Sequence, residues 1–213
     1  MRYHTWLFDL DGTLLDSIEL ILASYRHTLT IHRGAPPDDD VWLAGLGTPL
    51  REQFRHFTDD SAEIDAMIAT YREHNLAHHD TMVREYPGVR PAISGLRGQA
   101  RLGIVTSKLN EGARRGLAFL GMEDWFEVVI GADDVEQAKP HPEPVLAAVA
   151  RLGADPASTV FVGDSPHDMA SGRAAGVRTA AALWGPFPRD HLEPHDPDHW
   201  LEHPDALLWI TPA

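Results

Sequence analysis

The 213 residues include no cysteine, which excludes a disulfide framework, a thiol nucleophile and a thiolate metal site. Basic residues are scarce: 18 Lys and Arg stand against 32 Asp and Glu, a formal charge of −14. Such a field repels the phosphates of nucleic acid and the anionic face of a membrane, so neither is expected as a partner. It also sets a condition, because an anionic substrate then has to be met locally by a cation or by placed lysines. Long apolar runs are missing as well. The best candidate, Val145 to Ala150, stops at charge within two turns, far short of the roughly 20 residues that span a bilayer. The opening residues reach Asp9 too soon to provide the apolar stretch of a secretory signal, and a cytoplasmic location is expected. What is present, 43% hydrophobic and 23% charged residues with proline and glycine dispersed, is the composition of a chain that buries a core. One large domain, or one domain carrying an insert, is the expectation at this length.

The organisation changes twice along the chain. Trp6 to Phe8 reads as a short buried strand that runs into a turn at Gly12. From Ser17 the apolar set Ile18, Leu22, Tyr25 and Leu29 recurs at helical spacing until Ala35–Asp40 breaks it, and Ile64, Ile68 and Tyr71 repeat the pattern until it fades near Asp80. No strand signal lies between about Asp16 and Val83, so residues 16–83 read as an all-helical insert. After Gly88 strands and helices alternate. Strands are predicted at Leu102–Ser107, Val128–Ile130, Thr159–Gly163 and Val177–Ala182, with helices near 91–97, 111–120, 142–152 and 169–175. Apolar strands separated by helices imply an α/β fold, a Rossmann-like three-layer parallel sheet covered on both faces, built from residues 1–15 and 84–213. The tail from Gly185 to His203 reads mostly as loop.

Ligands of an open parallel sheet bind beyond the carboxyl ends of its strands. Three polar clusters fall there: Asp9, Asp11 and Thr13; Thr106, Ser107 and Lys108; and Asp164 with Asp168. Lys139 lies in a proline-bounded segment. Two carboxylates two residues apart, the second where the strand breaks, can address one cleft with different tasks. One such carboxylate can attack a phosphoryl group while the other protonates the departing oxygen and later takes a proton from water. Carboxylates without cysteine or clustered histidine favour a hard ion such as Mg²⁺. Thr106 and Lys139 can hold the non-reacting phosphoryl oxygens.

At these residues the sequence resembles the haloacid dehalogenase superfamily. It matches four motifs in order: Phe8-Asp9-Leu10-Asp11-Gly12-Thr13-Leu14-Leu15-Asp16-Ser17, Val105-Thr106-Ser107, Lys139-Pro140, and Val162-Gly163-Asp164-Ser165-Pro166-His167-Asp168. The resemblance implies Asp9 as nucleophile and Asp11 as general acid and base. It implies Thr106, Ser107 and Lys139 as phosphate contacts, and Mg²⁺ held by Asp9, the Asp11 carbonyl and Asp164, with Thr13 and Asp168 supporting. It also identifies residues 16–83 with the helical cap of the phosphoglycolate phosphatase-like branch, whose loop reaches over the site. Thr48 and Arg51 are therefore candidate substrate contacts. The implied activity is hydrolysis of a small phosphorylated metabolite, phosphoglycolate- or pyrophosphate-like, by a monomer or homodimer.

Competing readings are weaker. A sugar phosphomutase of the β-phosphoglucomutase kind uses the same two aspartates but usually carries Gly-x-Ser-Arg in the cap loop, where this chain has Gly47-Thr48-Pro49-Leu50-Arg51. Dehalogenases lack the second aspartate, and a phosphate-binding receiver module of roughly 120 residues has no helical insert. Lys108 reads as a rim residue, and His167 as lining the entrance. His191, His195, His199 and His203 recur every four residues, but Pro194, Pro197 and Pro204 deny them a helix.

Overall fold

The computed structural model describes residues 3–210. Its centre is β1 (Thr5–Phe8), where Trp6 and Phe8 point into one apolar layer and Leu7 into the other, as the twofold period of a strand requires. Helices cover both layers. A two-residue strand β2 (Leu15–Asp16) leads into α1 (Ile18–Arg33), α2 (Asp39–Leu43), α3 (Leu50–Arg55) and α4 (Ser61–Met82), and β3 (Arg84–Glu85) pairs antiparallel with β2 on the return. Beyond them lie α5 (Val89–Leu96), β4 (Arg101–Val105), α6 (Asn110–Phe119), β5 (Val128–Ile130), α7 (Glu143–Leu152), β6 (Thr159–Gly163), α8 (Pro166–Ala174), β7 (Arg178–Ala182), α9 (Arg189–Leu192) and β8 (His199–Leu201).

The main sheet has the order β5-β4-β1-β6-β7-β8, with every pair parallel. β1 thus lies between β4 and β6, and the ends of these three neighbouring strands carry Asp9, Thr106 and Asp164 side by side. The α/β parallel architecture expected from the sequence is the observed one. The tail differs from its expectation. Part of it is helical, and His199–Leu201 forms a sixth strand, held at the edge by the Asp198 carboxylate, which accepts from Thr179 N–H at 2.9 Å and Arg178 Nη1 at 2.6 Å. The four spaced histidines consequently fall on different local structures, with His191 in α9, His195 in a 3₁₀ turn and His199 in β8.

Helices α1 to α4 enclose an apolar cluster of their own. Tyr25 stacks on Trp42 with centroids 4.4 Å apart, and Phe54 and Tyr71 close around the same indole. The cluster continues through Met169, Ala181, Phe187 and Leu192, so the insert shares apolar contacts with α8, β7 and the tail.

Candidate active site

The first motif leaves β1 through a turn that only glycine fits. Gly12 has φ +88°, and a Cβ there would lie 2.5 Å from Asp164 Oδ2. The Thr13 carbonyl accepts from Trp184 Nε1 at 2.8 Å, while its hydroxyl donates to Asp164 Oδ1 at 2.6 Å. Thr13 thereby ties the end of β1 to the end of β6.

The fourth motif is also a helix start. Ser165 caps α8, Pro166 occupies the first turn, and Asp168 Oδ2 accepts from the Ser165 N–H at 3.0 Å and hydroxyl at 2.6 Å. The other Asp168 oxygen takes Lys139 Nζ at 2.6 Å. Lys139 also stands 2.9 Å from Asp9 Oδ1, an ion pair without hydrogen-bond alignment, since that oxygen has no aligned donor. Its side chain is only 1% exposed. Burial alone would lower the Lys139 pKa, but the charges of Asp168 and Asp9 outweigh it and raise it.

Asp9, Asp164 and Asp168 bring one oxygen each within 4.8 Å of one another. Three carboxylates against one ammonium leave two negative charges in a buried pocket. Desolvation pushes the Asp9 carboxyl up to about 7, with the Asp168 charge adding to the effect and Lys139 opposing it. Asp164 is raised by the same burial and by Asp168 and Asp9. An all-oxygen donor set short of two positive charges fits a hard divalent cation such as Mg²⁺.

Asp11 turns the other way. Its Oδ1 accepts from Ser17 Oγ at 2.6 Å and from Lys108 Nζ at 2.7 Å, and its Oδ2 lies 3.0 Å from the same ammonium. Burial would raise its pKa, but Lys108 and then Ser17 hold it below the usual carboxylate value. Lys108, read from the sequence as a rim residue, therefore stands against a candidate catalytic carboxylate. Ser17 joins it there, although sequence reasoning marks that serine only as the last position of the first motif. A compositional signal for Lys108 exists: Lys108 and Lys139 are the only lysines in the chain, the other 16 basic residues being arginine.

Thr106 is buried at the end of β4, where its hydroxyl accepts from the Lys108 N–H at 3.2 Å. Ser107 donates to the Gly47 carbonyl at 2.5 Å and so joins the insert to the sheet. Gly47, with φ +96°, comes so close to Ser165 and His167 that a Cβ would sit 3.0 Å from the Ser165 hydroxyl. The insert loop thus reaches the carboxylate end of the sheet through Gly47. Thr48 closes its own turn by donating to Gly45 O at 2.7 Å, and Arg51 pairs with Asp65 of α4. Neither makes a hydrogen bond or ion pair to the carboxylate cluster among the described residues. Proximity along the sequence does not aim an exposed side chain, and a carboxylate on the neighbouring helix has captured Arg51. His167 packs beside Gly47, and burial lowers its pKa.

The comparisons with known proteins agree with this geometry. A profile of the family described as haloacid dehalogenase-like hydrolase matches residues 6–182. Pyrophosphatase PpaX of Anoxybacillus flavithermus is 42% identical over 211 residues, covering 99% of this chain and 97% of that protein. Its namesake from Halalkalibacterium halodurans is 41% identical over 213 residues, covering 99% and 98%. Among solved structures, a candidate phosphoglycolate phosphatase from Lactobacillus plantarum superposes with a TM-score of 0.89 at 28% identity, over 98% of this chain and 99% of that one. With four motifs converging on one end of the sheet and the family profile running from β1 through the insert to β7, the chain belongs to the haloacid dehalogenase-like hydrolases.

Proposed function

We propose that this protein is a Mg²⁺-dependent phosphatase of small phosphorylated metabolites, pyrophosphate or phosphoglycolate in type, working in the cytoplasm. In this reading residues 1–15 and 84–213 are the catalytic core and residues 16–83 a cap over it. The PpaX pyrophosphatases, at 42% and 41% identity across nearly the whole chain, support the substrate class.

Asp9 attacks phosphorus through a carboxylate oxygen, and the bond from phosphorus to the leaving oxygen breaks. Asp11, whose pKa Lys108 holds low in this structure, has to take up a proton as the substrate enters, and it then delivers that proton to the leaving oxygen. In the second half water attacks the aspartyl phosphate and passes a proton to Asp11. The bond to the Asp9 oxygen breaks, inorganic phosphate leaves, and both carboxyl groups are restored. Lys139, fixed by Asp168, and Thr106 hold the phosphoryl oxygens as charge develops. Asp9, Asp164 and the Asp11 carbonyl would hold Mg²⁺, which when bound neutralises the phosphoryl oxygens and the surplus carboxylate charge.

The observation that carries this reading is the pocket of Asp9, Asp164 and Asp168 around the single ammonium of Lys139. The test is phosphate release from pyrophosphate and phosphoglycolate with Mg²⁺ and with chelator. Turnover only with Mg²⁺ is expected; equal turnover in chelator would overturn the metal assignment, and no turnover of either substrate the activity.

A further inference from the structure

The catalytic scheme leaves Lys108 without a task on the substrate, although its ammonium touches both oxygens of the proposed acid, Asp11. We propose that Lys108 recognises the leaving group, and that the site selects substrates whose leaving group itself carries negative charge, a second phosphate or a carboxylate. The proposal rests on the phosphatase reading and narrows it.

An acid transfers its proton over a hydrogen-bond length, so the leaving oxygen sits about 3 Å from an Asp11 oxygen in the reacting complex. Lys108 Nζ is 2.7 and 3.0 Å from the two oxygens of that carboxylate. Its ammonium therefore falls within two hydrogen-bond lengths of the leaving oxygen, in reach of an anionic group one or two bonds further on. An ammonium has three N–H donors, and the two Asp11 oxygens occupy at most two. One donor remains for a substrate anion without Asp11 being released.

Three other cations are committed to partners of their own. Lys139 is almost fully buried between Asp9 and Asp168 and serves the transferred phosphoryl group. Arg51 and Arg115 are paired with Asp65 and Asp80. By contrast the Lys108 and Asp11 side chains are each 18% exposed, so the pair is open to an incoming molecule while shielded enough for its charge to be felt.

The local backbone is built to aim this side chain. The Lys108 N–H donates to the Thr106 hydroxyl, and its carbonyl accepts from Ala132 N–H at 2.9 Å. The aliphatic stem lies over Gly112 of α6, where a Cβ would come within 3.3 Å of Lys108 Cγ. A chain that uses arginine at 16 positions has lysine at these two only, one for each end of the scissile bond. A compact ammonium suits a place where a planar guanidinium would have to clear Asp11, Ser17 and the Gly112 backbone. For a chain of formal charge −14, this is the local cation that an anionic leaving group needs.

The test compares phosphoglycolate with 2-hydroxyethyl phosphate, a near-isosteric substrate whose leaving alcohol is neutral, and adds pyrophosphate as a second anionic case. The wild-type enzyme is expected to favour phosphoglycolate in kcat/KM. Lys108→Met, which keeps the stem over Gly112 but removes the charge, is expected to lower the ratio of the two on the order of 10- to 100-fold, mainly through KM, and to weaken pyrophosphate turnover in parallel. Lys108→Arg should recover part of the ratio. A fall of equal size on both esters, leaving the ratio unchanged, would show that Lys108 acts only through Asp11 and would overturn the proposal. If Lys108→Met does not fold, the wild-type ratio decides. Equal kcat/KM on the two esters then defeats the Lys108 assignment while leaving the phosphatase reading intact, whereas no turnover of any of the three substrates defeats the phosphatase reading itself.

Discussion

The strand-end pocket and the helical insert use ionic side chains in opposite ways. In the pocket, the Asp9, Lys139 and Asp168 side chains are 7% exposed or less, and each holds the next. In the insert, Arg26 with Asp39 and Glu19, Arg33 with Glu63, and Arg51 with Asp65 form comparable pairs, but these are 30–66% exposed. Water screens the second group and makes each pair worth little. Burial makes the first group interdependent, because removing one member strands charge that no solvent can relieve. The proposed chemistry therefore sits where charge is costly to keep, while the insert packs around the aromatic cluster of Tyr25, Trp42, Phe54 and Tyr71.

Substitutions can break that contrast, and the sharpest concerns rate. Asp11→Asn removes the proton donor and is expected to cost on the order of 10²- to 10⁴-fold in kcat on an alkyl phosphate, with the urea midpoint nearly unchanged. Next in size is Lys139→Met, which leaves Asp9 and Asp168 facing each other without their cation. Urea unfolding should show a loss of about 3–5 kcal/mol, unless the carboxyls take up protons, in which case the loss shrinks on going to pH 5. Trp42→Ala removes the indole on which Tyr25 stacks and should destabilise by about 3–5 kcal/mol while the sheet keeps its circular dichroism.

Smaller effects are expected at the edges. At Asp198 burial would raise the pKa, but the hydrogen bonds from Thr179 N–H and Arg178 together with the Arg178 charge lower it. A carboxyl with a folded pKa below its unfolded value lends stability that is present at neutral pH and lost as pH falls through the folded pKa. Asp198→Ala should therefore cost about 1–2 kcal/mol at pH 7, and thermal melts should show the gap to wild type narrowing towards pH 3. Arg51→Ala is the control: with its pair exposed, stability should change by no more than about 0.5 kcal/mol. A large loss of activity in Arg51→Ala would return that residue to the site.

The same contrast explains how much of the molecule is legible in the sequence. Residues at the strand ends are readable because the backbone aims them: a buried strand of four residues has few ways to present Asp9, and Gly12 and the Ser165 cap fix the turns beyond the strand ends. The insert announces its helices by periodicity, yet the residue that touches the sheet is Gly47, which has no side chain to recognise. Thr48 and Arg51 are the natural choices by side-chain chemistry, and local partners take both. The strand β8 escapes because three residues among prolines carry no period, and its pairing depends on Asp198 and on the Tyr3 hydroxyl lying 2.6 Å from His199 Nε2, nearly the whole chain away. Asp168 shows that a structural and a chemical role can hold at once, for it completes a capping box with one oxygen and fixes Lys139 with the other.

The proposed chemistry turns on Asp9 becoming phosphorylated. The direct measurement is to quench the enzyme during turnover with Mg²⁺ and substrate, reduce with borohydride, which converts an aspartyl phosphate to homoserine, and locate the change by fragment-ion mass spectrometry. Because Asp9, Asp11 and Asp16 share one tryptic peptide, the assignment has to be made to the residue. Homoserine at position 9, more abundant in Asp11→Asn and absent without Mg²⁺, is the expected result. Homoserine at position 11 or 164, or rapid turnover with none at any aspartate, would contradict the assignment of Asp9 as nucleophile.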